Sequence, residues 1–348
     1  MSKIAHTLFS DKEVEICEGS GKDNYIMAIE SSCDETACAV VKNGREVIAN
    51  VVASQIDIHK EYGGVIPEIA AREHLETINF VIQETFEQAN LKPEQIDAFA
   101  GTVGPGLVGC LLVGLNASKT LALTYDKPFI GINHLKGHIS ANYLNTDLKP
   151  PFIALLVSGG HTQIINVKSN SEIEIMGETI DDAVGEAYDK VARLMGLPYP
   201  GGATLDKLAK EGNPKAFQLP EGKVDGYNFS FSGLKTAVLR LIKSFDKENL
   251  PINDICASFQ ECVSTTLIKK VKMALQETGY KQAVIAGGVA ANSEIRRKMF
   301  ELEKDGIRVN APEMKFCTDN AAMVASCAYF FTDTYDDIDV EVFSRVKK

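Results

Sequence analysis

What this sequence does not contain narrows it first. None of its eight cysteines form a C-x-x-C pair or a metal-finger spacing, which leaves no framework for a zinc ribbon or a dithiol redox pair. Scattered thiols are those of a chain kept in a reducing compartment. No apolar run approaches the roughly 20 residues that a membrane span needs, and the stretch up to Tyr25 is polar and acidic. Neither a membrane anchor nor a secretory leader is expected, and the cytoplasm is the expected location. There is no H-E-x-x-H either, because Leu135 follows His134, so a zinc protease of that type has no glutamate to activate water. Positive charge is in short supply: 36 Lys/Arg against 47 Asp/Glu leave a net charge of -11, which argues against a chain that grips nucleic acid with a general basic surface.

What is present reads as an ordinary globular chain, 45% hydrophobic and 24% charged. Its 348 residues exceed one compact core, so two domains or lobes are expected. The charge is uneven, with nine Lys/Arg against four Asp/Glu from Lys190 to Lys243. A solvated face is the ordinary reading of any one of these residues; the block as a whole is where an RNA backbone would be met.

Residues 1–24 lack apolar periodicity and read as a flexible extension. From Tyr25 the pattern predicts a strand (YIMAIE), a polar turn Ser31 to Thr36 and a returning strand closed at Asn43-Gly44. The plan returns at Phe152, with FIALLV, the turn Ser158 to His161, and TQIINV. Two such units about 125 residues apart suggest a duplicated α/β domain, with lobes over 25–150 and 151–348 and the last helix expected to pack back on the first lobe. Between and after them the spacing predicts helices over Glu68 to Asn90, Leu107 to Tyr125, Asp181 to Met195, Pro251 to Thr278 and Ser293 to Glu303. Strands are predicted over Ile96 to Val103, Pro128 to Ile132 and Ala283 to Ala286.

Five stretches could carry chemistry. His134 and His138, at i and i+4, share one helix face and could ligate one metal; a packing pair is the commoner meaning of that spacing. Asp319 is the best third ligand, and two imidazoles with a carboxylate suit iron or zinc. The tips Ser31 to Thr36 and Ser158 to Thr162, rich in hydroxyls and, in the second, glycines, expose backbone N–H groups as a phosphate clamp would. A strand running into Gly287-Gly288 and then Asn292 allows close approach of a ring or ribose. Acidic residues from Asp181 onward sit at a helix start, where a dipole role is usual, whereas Asp189 and Asp206 lie deeper and suit ribose hydroxyls or a threonyl group. Phe229 to Lys235 reads as a half-buried strand or, more sharply, as rings that stack on an unpaired base.

Taken together and in order, IESSCDET, GGVIPEIAAREH, GPGLVGCLLVG, NHLKGH, LLVSGGHT, GETIDDAVGEAYDK, YPGGATLDKLA, FSFSGLKTA, ASFQ, IAGGVAAN and FCTDNAAM resemble the bacterial tRNA threonylcarbamoyladenosine transferases, the TsaD family once described as O-sialoglycoprotein endopeptidases. The resemblance covers roughly residues 26–330 and leaves the first 24 without a role. It implies two actin-like, ribonuclease-H-like (ASKHA) lobes with a nucleotide cleft between them. The implied reaction moves threonylcarbamoyl from threonylcarbamoyl-AMP to N6 of adenosine 37, in tRNAs that read codons beginning with A, and releases AMP. His134, His138 and Asp319 match the family's ligands for one divalent ion, Fe2+ before Zn2+. Val157, Ser158, Gly159, Gly160 and His161, with Asp189, Gly202, Asp206 and Asn292, match its nucleotide and substrate contacts; Ser31, Asp34 and Glu35 are weaker phosphate-side candidates. The partners implied are tRNA, a noncatalytic TsaB-like paralogue and a small TsaE-like ATPase. Two alternatives remain at this point, an ATP-dependent small-molecule kinase or carbamoyltransferase on the same scaffold, and a noncatalytic partner subunit.

Overall fold

The computed structural model describes residues 3–7, 10–16, 22–331 and 339–345. It divides into two units, residues 1–148 with 318–348, and residues 149–317. The formal charge divides with them: 14 Lys/Arg against 26 Asp/Glu in the first and 22 against 21 in the second, net -12 and +1.

In the first unit, β1 (Lys3–Thr7) and β2 (Ser10–Ile16) pair antiparallel as a separate ribbon. The main sheet contains β3 (Tyr25–Glu30), β4 (Glu35–Lys42), β5 (Glu46–Ser54), β6 (Ala98–Gly104) and β7 (Phe129–Asn133), in the order β5-β4-β3-β6-β7. The first three strands form an antiparallel meander, and β6 and β7 run parallel to β3. The meander turns at Asn43-Gly44, where both residues take positive φ, 52° and 69°, the conformation that Asn and Gly tolerate best. Helices α1 (Ile56–Lys60), α2 (Pro67–Ala89), α3 (Val108–Thr124) and α4 (His134–Ser140) follow the strands. Pro67 opens α2, and left-handed Asn90 closes it with its N–H on the Phe86 and Glu87 carbonyls. Strand alternation sends Met27, Ile29, Phe99 and Val103 to the face where Ile78, Val81 and Leu115 of α2 and α3 form the core. It sends Ile26, Ala28, Glu30, Ala100 and Thr102 to the other face.

The second unit repeats this plan strand for strand. Its strands β8 (Phe152–Val157), β9 (Thr162–Val167), β10 (Ile173–Glu178), β11 (Gln282–Ala286) and β12 (Arg308–Asn310) lie in the order β10-β9-β8-β11-β12. The three antiparallel strands are again followed by two parallel ones; the paired hairpins expected from the sequence supply the first two strands of each sheet, and the third strands, β5 and β10, are not among the expected elements. Helices α5 (Val184–Leu194), α6 (Gly201–Ala209), α7 (Ser232–Lys243), α8 (Ile252–Thr278) and α9 (Ser293–Phe300) pack its core around Tyr188, Phe229, Phe231 and Phe259. The chain then returns to the first unit, where α10 (Ala321–Phe330) packs on β3 and β4. The Ala322 N–H donates to the Asn50 side chain there and the Ser326 hydroxyl to the Gly44 carbonyl. No described helix is long and apolar enough to cross a membrane.

Two local expectations need correction. The helix predicted from Asp181 begins at Val184, whose N–H is taken by the Thr162 hydroxyl, while Asp181 accepts from the Ser230 and Ser232 hydroxyls and the Phe231 N–H. Phe229 pairs as a single parallel bridge with Thr179, but Phe229 and Phe231 are fully buried and Ser232 opens α7, so the strand is confined to that bridge and no surface is left on which a base could stack.

A Cβ added at Gly44 would stand 2.5 Å from the Tyr329 ring, at a φ of 69°. Gly44→Ala should therefore cost roughly 2 to 4 kcal/mol through overpacking and backbone strain, read as a lower urea midpoint at unchanged slope. Wild-type stability in that variant would show that α10 does not press on this turn.

Candidate functional site

The first unit gathers three sequence-predicted residues at one point. Asn133 caps α4, its side chain accepting from the N–H groups of Leu135 and Lys136, so the helix starts with His134 in its first turn. One turn later His138 stands beside it, ring centroids 4.6 Å apart. Asp319, just ahead of α10, brings Oδ1 to 3.6 Å from His134 Nε2 and 3.2 Å from His138 Nε2. One ligand atom from each of the three lies within 4.8 Å of the others.

Sequence reading missed what stands behind His134. Its Nδ1 lies 3.1 Å from Glu30 Oε2 and 3.2 Å from the Ser32 hydroxyl. Glu30 is fully buried, and its carboxylate also accepts from the Thr102 hydroxyl and the Ser32 N–H, each at 2.6 Å. A carboxylate on Nδ1 fixes the ring and leaves Nε2 to face Asp319, as in histidine ligands oriented by an outer carboxylate. The signal was a charged residue ending an otherwise apolar strand, YIMAIE.

The electrostatics are severe. Burial disfavours the charged His134 ring, but the Asp319 and Glu30 carboxylates outweigh it and push the imidazole up to about 9. Burial would raise Asp319, yet His134 and His138 draw it down to about 2. Burial likewise raises Glu30, and the His134 ring overcomes it to hold the carboxyl below its ordinary range. Burial, then Asp319 and Asp34, push Glu35 up to about 10. Two imidazoles and one carboxylate, with further carboxylates close by, make a donor set that fits a divalent cation and leaves coordination positions free. The same carboxylates make this tip a poor seat for phosphate. Ser31 is turned away from it, its hydroxyl donating to the Cys110 carbonyl and accepting the Gly114 N–H of α3.

In the second unit the β8–β9 tip is of a different kind. Ser158 N–H donates to the His161 carbonyl and His161 N–H to the Ser158 hydroxyl. Gly159 and Gly160 are exposed, with nothing within 4 Å of where a Cβ would be. Gly185, in the first turn of α5, meets this turn, its N–H on the Ser158 carbonyl. The Gly287 turn crosses the end of β8 so closely that a Cβ there would lie 2.3 Å from the Val157 carbonyl oxygen, at a φ of 90°. The other predicted contacts are tied together by helix caps. Asp189 Oδ1 accepts the N–H groups of Gly201 and Gly202 at the start of α6. Asp206 Oδ1 accepts from the Ser293 N–H and hydroxyl. Asn292 caps α9, accepting from Glu294 and Ile295 and donating to the Gln260 side chain. Residues scattered from 157 to 292 thus share one end of the sheet in this unit. Beside them, Ala257, Gln260, Ser293, Lys210 and Arg297 line a cavity of about 280 Å³.

The model of the family described as tRNA N6-adenosine threonylcarbamoyltransferase (TsaD) matches residues 46–326. A protein of that name from Microcystis aeruginosa is 52% identical over 332 residues, covering 92% of this chain and 96% of the relative. One from Thermosipho africanus is 52% identical over 308 residues, covering 87% and 93%. Among solved structures, full-length HypF in a phosphate- and nucleotide-bound form aligns with 94% of this chain and 50% of its own length, at 14% identity and a TM-score of 0.60. HypF from T. kodakarensis aligns at 15% identity, covering 94% and 51%, with a TM-score of 0.64. These likenesses support the two-lobed, actin-like fold.

In chelator-treated protein, Asp319→Asn should lower the His134 pKa from about 9 by one unit or more, because a facing negative charge is lost. The ring's NMR titration reads it directly. A midpoint unchanged from that of the wild type would mean that Asp319 does not face this imidazole.

Proposed function

The chain belongs to the tRNA N6-adenosine threonylcarbamoyltransferase family, and from that premise we propose how its two sites divide the reaction. It is an acyltransferase that modifies tRNA, placing threonylcarbamoyl on N6 of an adenosine. The donor is threonylcarbamoyl-AMP and the acceptor adenosine 37, in tRNAs that read codons beginning with A. The N6 amine attacks the carbamoyl carbon, the bond from that carbon to the phosphate oxygen breaks, AMP leaves with the electron pair, and the amine gives up a proton. The amine is a weak nucleophile and AMP a good leaving group, so the protein's work is positioning and charge stabilisation.

The amides of the exposed Gly159 and Gly160 are suited to the AMP phosphate, with the Ser158 N–H already spent on the His161 carbonyl. Asp189, Gly202, Asp206 and Asn292 stand at the helix starts where ribose hydroxyls could exchange hydrogen bonds, and the neighbouring cavity of about 280 Å³ has room for the purine. His134, His138 and Asp319 would hold the divalent cation, Fe2+ in preference to Zn2+, and bound there it would supply Lewis-acid stabilisation of the oxygen charge developing on the carbamoyl group. Glu30 keeps His134 in the tautomer that offers Nε2. Asp34 adds negative charge close to the ligands, while Glu35, pushed up to about 10, stays protonated and contributes none. A TsaB-like paralogue and a TsaE-like ATPase complete the assembly, which works in the cytoplasm where tRNA is. The kinase and noncatalytic readings have no observation in their favour.

One observation carries this reading: among the described residues, two imidazoles four residues apart meet the carboxylate of Asp319, which lies far along the chain from both. The test is transfer of threonylcarbamoyl to tRNA by the purified chain with its partner proteins, threonine, bicarbonate and ATP. His134→Ala should lose at least ~100-fold in yield of modified adenosine. Equal yields from the two proteins would remove the metal from the mechanism.

A further inference from the structure

The C-terminal segment is fastened beside the metal candidate, and none of the motifs above includes it. Its Phe343 N–H donates to the Val103 carbonyl at 2.9 Å. At Gly104, φ 143°, a Cβ would lie 2.2 Å from the Phe343 carbonyl oxygen and 2.9 Å from its ring. Val340, Val342 and Phe343 pack on the core of the first unit. Upstream, the Val340 carbonyl accepts from Lys119 Nζ at 2.6 Å, the amine of a lysine only 9% exposed. The strap therefore closes the end of β6 by both hydrogen bonding and packing.

What lies on either side of Val103 and Gly104 gives this closure its meaning. On one side, Thr102 donates its hydroxyl to Glu30, the carboxylate behind His134. On the other, the Leu107 N–H donates to the Ser32 carbonyl, and Gly106 approaches Ser32 so closely that a Cβ would lie 2.7 Å from that oxygen. Ser32 in turn places its hydroxyl at 3.2 Å from His134 Nδ1. Both residues that hold His134 from behind are thus fixed by residues flanking the strand end that the strap meets: Glu30 by Thr102 just before it and Ser32 by Gly106 and Leu107 just after it.

We infer that the strap Val340 to Phe343 is a positioning element for His134, acting through Gly104 on the Thr102–Glu30 and Ser32 contacts. The inference rests on the metal reading only for its second readout. Releasing the strap lets the end of β6 and the 105–107 turn shift, Glu30 and Ser32 lose their register on Nδ1, and the ring loses its fixed orientation. A residue that orients a ligand from behind typically changes cation affinity 10- to 100-fold, and a strap one step further out should sit at about the lower figure.

The experiment uses the full chain, chelator-treated, as wild type, Phe343→Ala, Phe343→Leu and Ile82→Ala. Ile82 packs on the same core from α2, away from the loop. The first readout is the His134 ring signals by NMR without metal; the second is the affinity for Zn2+ by calorimetry. Phe343→Ala should move the His134 signals and weaken Zn2+ binding about tenfold. Phe343→Leu should restore most of both, and Ile82→Ala should lower the melting temperature while moving neither. Should Phe343→Ala fail to fold, Lys119→Met releases the strap at Val340 and is read the same way. His134 signals that stay put in a folded strap variant overturn the inference whatever the metal does. Signals that move in a protein whose wild type takes up no Zn2+ uphold the strap and overturn the metal reading.

Discussion

A carboxylate without solvent, Glu30, governs the arrangement of the first unit. An ionised group in that position is costly unless each oxygen is answered, and the answers come from three places: the Ser32 N–H in the hairpin tip, the Thr102 hydroxyl in β6 and the His134 ring in α4. The tip, the strand end and the helix start are held together because each contributes one partner. Asp319 then completes the opposite side of His134, so that the ring stands between two carboxylates.

The second unit solves a related geometry with different chemistry. In both units the loop after the fourth strand of the sheet crosses the end of the first, and glycine permits it: Gly106 against Ser32, Gly287 against the Val157 carbonyl. The crossing places side chains at the carboxyl ends of neighbouring parallel strands, where open α/β sheets gather their ligands. In the first unit the space is filled with imidazoles and carboxylates. In the second it is left with bare glycine backbone and helix starts, which suit an anion.

Much of this was legible in the residues. Paired strand-turn-strand patterns gave the duplication and the first hairpin of each sheet, and the stretch Leu107 to Tyr125 gave α3. Histidines at i and i+4 gave a helix face, and their meeting with Asp319 follows from α10 returning to the first sheet. Three things were hidden for physical reasons. The start of α5 depends on a hydroxyl from β9 and on Asp181 being drawn to residues 230–232, contacts too distant in sequence for periodicity to register. Glu30 looked like the polar end of a strand, since its burial is created by elements more than 70 residues away. Asp189, Asp206 and Asn292 stood out as candidate ligands, whereas their capping of α6 and α9 appears only once those helices are placed.

The split of formal charge, -12 against +1, also bears on how a polyanion arrives. At physiological salt the Debye length is about 8 Å, so an approaching RNA senses mainly the part of the surface nearest to it. The acidic unit repels it and the near-neutral one does not, which selects among encounter orientations before any specific bond forms. Productive collisions are thereby biased by repulsion more than by attraction, and added salt relaxes this filter on orientation.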